Sequence, residues 1–209
     1  DSASAVNTNR TDQTAGDLIL TDGITITTGG AGITLTVDST DDATFTPGAH
    51  TLGTATLTAG AGSITLDGQS SLTAITGTGN LTSTGLVVTA EGSVNIASGA
   101  GTIVGTIDAS GGTPTSFDLD NQGGTLEITG NLVADSGGNI TLTATGQTLT
   151  VTNALTTSGA GEIFLLGAAM SGAGVLTSAT ELTLTATGAV NLSGANTVVA
   201  IDGSGATPS

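Results

Sequence analysis

The stretch TLEITGNLVADSGGNITL, Thr125 to Leu142, is written again as TLTVTNALTTSGAGEIFL, Thr148 to Leu165, without a gap and 23 residues later. Leu126, Leu132, Ile140 and Leu142 recur as Leu149, Leu155, Ile163 and Leu165, and Ile128 recurs as Val151. Apolar residues two apart, in short bursts divided by Gly, Asn and Ser, read as brief strands joined by turns. A fixed period with this content is the signature of a solenoid, in which each coil stacks on the one before. Three bursts per 23 residues predict a three-sided coil. Parallel stacking then sets Leu126 against Leu149, with Thr125 and Thr129 outside beneath Thr148 and Thr152. Gly138 and Gly161 fall at equivalent points and are expected to supply positive φ at a turn.

A longer period lies above this one. Residues Thr84 to Pro114 return as Thr180 to Pro208, Leu18 to Thr36 parallels Leu126 to Thr143, and Ala61 to Gly68 parallels Ala160 to Gly167. The chain reads as a single continuous β-solenoid over 1–209, with repeat units 1–107 and 108–201 and the start of a third at 202–209. Coils of about 20–23 residues would number nine or ten, a rod on the order of 45 Å long at ~4.8 Å per strand. The first unit carries an insertion, DSTDDATFTPGAH from Asp38 to His50, expected to project from the wall as a loop. The equivalent ends and the start at Asp1 without Met read as an excerpt or processed piece of a longer array.

Composition supports a thin, repetitive core. The 209 residues include 34 Gly, three Phe and no Cys, Trp or Tyr, so burial per residue is modest. One Arg, no Lys and 17 Asp plus Glu give a net charge of −16. That argues against nucleic acid and against anionic membrane surfaces, which need basic patches. No apolar run approaches a membrane span, so membrane insertion is not expected.

Segments such as GSVNIASGAG, NITLTATG and TELTLTATGAVNL resemble the repeats of filamentous haemagglutinin-type adhesins and related autotransporter passengers. The resemblance covers nearly the whole chain and implies a right-handed parallel β-helix, the shaft of such a protein. Right-handed crossovers are also the general expectation for parallel strands. The family's Asn-Pro-rich secretion domain is absent from these residues. Immunoglobulin-like tandem domains fit less well, because Trp and Tyr are missing and the 23-residue repeat lies inside the longer unit.

Candidate sites are sparse. His50 with Asp41 or Asp42 could pair a base with an orienting carboxylate, but no Cys, Lys or second His completes such a site. The expectation is a non-enzyme without a catalytic or cofactor-binding residue. Calcium is the one cofactor weighed, since it needs only carboxylates and carbonyls. Its candidates are Asp38, Asp41 and Asp42, with Asp118 and Asp120 between the units. Thr pairs such as Thr141-Thr143 and Thr183-Thr185 invite an ice-binding reading, set against ordinary β-branched strand surface. Phe164 should point outward between inward Ile163 and Leu165, which makes it a candidate contact residue. The leading expectation is an extracellular, cell-surface structural shaft of a bacterial adhesin or filament, meeting other cells or surfaces. Its alternatives are a subunit that self-associates head-to-tail through terminal coils, and an ice- or calcium-binding module.

Overall fold

Alternation of apolar and hydroxyl side chains produces short strands whose inner faces meet around one axis. A computed structural model describes residues 6–7, 18–19, 25–36, 50–52, 54, 56–67, 74–96 and 102–203, which form strands and turns with no helix among them. Every strand pairing is parallel, and the strands stack as a β-solenoid. One column runs through Leu18, His50, Ile75, Val94, Phe117, Ile140, Ile163, Leu182 and Ile201. From Ile75 onward these steps close about six turns. A second column joins Ile33, Ile64, Leu86, Ile107, Ile128 and Val151. A third joins Leu132, Leu155 and Leu176. Between Phe117 and Ile140 the chain visits all three, so the coil has three sides.

The 23-residue repeat is the vertical register. Leu126 pairs with Leu149, Leu132 with Leu155, and Ile140 with Ile163. The column residues from Ile75 to Leu182 are at most 2% exposed, and each such burial contributes roughly 1.5–3 kcal/mol. Phe117 is the largest wholly buried side chain, so this aromatic-poor core still uses one ring inside.

Hydroxyls and amides at the corners tie coil to coil. Thr129 donates from its hydroxyl to Ile107 O at 3.0 Å and from its amide to the same oxygen at 2.8 Å. Thr152 donates likewise to Ile128 O, and Ser193 to Gly172 O. Asn131 Oδ1 accepts the Ala154 amide, and Asn139 Oδ1 accepts the Glu162 amide, each across 23 residues. Asn121, wholly buried, accepts the Val104 amide and donates to Val104 O and Gly123 O. A buried amide is tolerable only when bonded in this way.

Two expectations are refined. Gly138 and Gly161 do not supply the positive φ; it belongs to Ser136 and Gly159, both at 58°, and to Gly137 at 79°. Gly138 and Gly161 are instead required by close approach. A Cβ on Gly138 would meet Thr115 O at 1.5 Å, and one on Gly161 would meet Gly138 O at 2.2 Å. His50, the last residue of the insertion, opens the strand His50–Thr51 within the first column, while residues 38–49 lie outside the described part.

Residues equivalent in the longer repeat stand in different columns. Leu86 lies on Ile64 and Ile107, whereas its counterpart Leu182 lies on Ile163 and Ile201. Val94 lies between Ile75 and Phe117, whereas its counterpart Val190 lies on Met170. The longer repeat therefore spans four coils and part of a fifth.

Candidate contact face

The outward residues of the first column build one broad face. Alternation from inward Phe117 and Leu119 turns Asp118 and Asp120 out, and the next coils set Thr141 and Thr143 above them. Above those stand Phe164 and Leu166, and then Thr183 and Thr185. Asp202 follows above Thr183, and Asn95 lies below Asp118. The face is thus banded across the axis: carboxylates, hydroxyls, apolar groups, then hydroxyls again. Neighbouring bands are ~4.8 Å apart, and outward residues within a band about 6.6 Å apart.

Phe164 points outward, as alternation requires, and is half-buried, while Leu166 is 39% exposed. Beside Leu166 lies a hollow of about 140 Å³ lined by Gly146, Gly167, Ala168, Thr185 and Thr187. Its origin is a change of corner length. In the coil of Ile140, four positions separate Ala144 from Thr148, whereas two separate Gly167 from Ala169 in the next coil. The longer corner stands proud at Gly146, which has φ 67° and open space around its Cβ position. The shorter corner falls back behind it, leaving the hollow.

A second, more polar hollow of about 320 Å³ lies lower on the face, against Thr76, Asn95, Ser116, Asp118, Asn139 and Thr141. Partial burial and then the charge of Asp120 raise the Asp118 carboxyl above the usual carboxylate range. Asp120 accepts from Gln122 Nε2 and from Thr145 Oγ1, the latter at 3.4 Å. Elsewhere Asp135, at a turn, accepts from Ser158 Oγ at 2.8 Å and the Ser136 amide at 2.6 Å. Those bonds favour its ionised form and lower its pKa.

The calcium candidates Asp38, Asp41 and Asp42 lie outside the described residues. Asp118 and Asp120 are brought onto one face, but among the described residues no group of three or more His, Cys, Asp or Glu could hold a metal ion. The Thr pairs 141/143 and 183/185 share that face, with the Phe164–Leu166 band between them. Leu166, the hollow and the carboxylates around them were not singled out as one surface by sequence reasoning. The signal lay in registering Ile163 against both Ile140 and Leu182. No family model matches this chain, and comparison with curated proteins and with solved structures returns no match.

Proposed function

We propose that this chain is a non-enzymatic structural shaft, a segment of an extracellular bacterial surface adhesin or filament of the filamentous haemagglutinin-like kind. The observation that carries the reading is the unbroken column of parallel strands from Leu18 to Ile201. Each coil is held by backbone bonds to both neighbours, and corner hydroxyls and amides are committed to the same task. Such a stack is stiff along its axis, and its length scales with the number of coils. A single Arg and no Lys deprive trypsin-like proteases of sites, which suits an exposed location.

Pulling the chain from its ends in a force spectrometer tests this. Successive force peaks are expected, each releasing about 20 residues, or roughly 70 Å of chain. Extension without force peaks would remove the shaft reading.

Head-to-tail stacking of copies is a second reading, favoured by the last described strand. Ile201 continues the buried column yet is 64% exposed, and Val198 beside it is only partly covered. A parallel edge over an apolar surface can accept another coil. Electron microscopy of the 209-residue chain should then show filaments that Ile201→Lys abolishes; short rods alone at every concentration would reject it.

A further inference from the structure

The band of Phe164 and Leu166 is bordered by like charge. Alternation outward of Ile163 and Leu182 turns Glu162 and Glu181 to the same side as Phe164 and Thr183, one coil above the other. Backbone positions on adjacent parallel strands stand ~4.8 Å apart, close enough for one cation to reach both side chains. Two bands below Phe164, on the far side of Thr141, Asp118 and Asp120 form a second pair on one strand. The chain's only basic side chain besides His50 is Arg10, which lies outside the described residues, so no Lys or Arg is described on this face. An apolar strip with its own hollow, with one carboxylate pair at its Phe164 end and another two coils below, is complementary to a segment that is both basic and apolar.

We infer that this face docks a basic amphipathic segment of another protein, with an apolar side chain in the hollow beside Leu166 and Lys or Arg on Glu162–Glu181 and Asp118–Asp120. The bands fix the spacing. The Asp120 band lies about 10 Å from the Leu166 band, so in a polyproline-II segment, whose side chains return to the same side every three residues at about 3.1 Å each, the cation and the apolar residue are three positions apart. A second copy of the same face is disfavoured, because it would bring carboxylates onto carboxylates. Long-range attraction by the net charge of −16 speeds encounter with any cation, whereas the hollow selects those that also carry an apolar group. The inference adds a partner class to the shaft reading and stands or falls separately from it, since it uses the lateral face and not the stack.

The test uses the full chain and three synthetic peptides, titrated by calorimetry at low ionic strength. One has three Lys-Ser-Ser-Leu repeats, one has Lys-Ser-Ser-Ser repeats, and one has Glu-Ser-Ser-Leu repeats. The first should bind at least about tenfold more tightly than the second, and the third should not bind. Leu166→Ser and, separately, Glu162→Gln with Glu181→Gln should each weaken the first peptide by about fivefold or more. Glu127→Gln with Asp135→Asn, which removes the same charge from other faces, should leave it unchanged. Both side-chain changes on the face are at outward positions, and a cooperative thermal melt confirms that each variant is folded. Equal binding of the two Lys peptides, or equal loss in the Glu127 and Asp135 variant, would overturn the inference and leave non-specific attraction to an acidic rod.

Discussion

The coil from Ile140 to Ile163 and the coil from Ile163 to Leu182 do the same structural work with different lengths, 23 and 19 residues. Four of their inward residues match: Ile140 with Ile163, Leu142 with Leu165, Leu149 with Met170 and Leu155 with Leu176, while buried Val151 falls on Gly172. The four missing residues come from two places. Two are lost at the corner, where the run from Ala144 to Thr148 shortens to the run from Gly167 to Ala169. The other two are lost at the turn, where 157–163 shortens to 178–182. Strands fix the geometry because a slip of one residue turns the inner face outward; corners are free to vary because they face water. The shortened turn is held by new bonds, with Thr180 Oγ1 donating to Gly161 O at 2.6 Å and Ser178 Oγ to the same oxygen at 3.1 Å.

That contrast can be broken deliberately. Phe117→Ala empties the largest buried position of the column and should cost about 3–5 kcal/mol in urea unfolding, with the cavity left unfilled. Deleting Thr141 forces either Ile140 or Leu142 to face water, and the expected loss is about 2–5 kcal/mol. Deleting Gly146 and Gln147 together converts the long corner into the short one. Stability should then change by less than about 1 kcal/mol, because loop length enters only logarithmically. A loss comparable to that from deleting Thr141 would mean that corners are as constrained as strands.

Asp118→Asn is the mildest change. The raised Asp118 pKa means that the folded state holds its proton more tightly than the unfolded chain does. The native carboxylate therefore opposes folding above its folded pKa, and that penalty disappears as pH falls toward the ordinary Asp value of 3.8. The variant should be more stable than the parent at neutral pH, by under about 1 kcal/mol because the group is half in solvent, and equal to it in acid. Thermal melts across this range check both halves.

The stack was legible because inward Leu and Ile recur at a constant offset between 125 and 165, and parallel register simply repeats that offset in space. Phe117 inside was also legible, since Phe117, Leu119 and Asn121 alternate along one strand, though nothing in a period of two reveals that buried Asn121 will find its partners on Val104 and Gly123. The contact face was only half legible. Phe164 pointing out follows from its neighbours, but its position between two Thr bands depends on the step from Ile163 to Leu182, where corner and turn both shorten. Gly138 was assigned to the right region for the wrong reason: a glycine in sequence looks the same whether it serves a positive φ or a close approach of backbones.

The mismatch between the longer repeat and the coil has a geometric consequence. Because that repeat is not a whole number of coils, Leu86 and Leu182 carry the same sequence to different sides of the rod. Duplicated sequence therefore does not mean duplicated surface. Further units of this kind would advance each outward motif around the circumference, so that like patches trace a spiral and successive copies face different sides. A flat partner on one side of a rod built in this way would meet like patches only at intervals of several units, whereas a partner that wraps around it could meet successive ones.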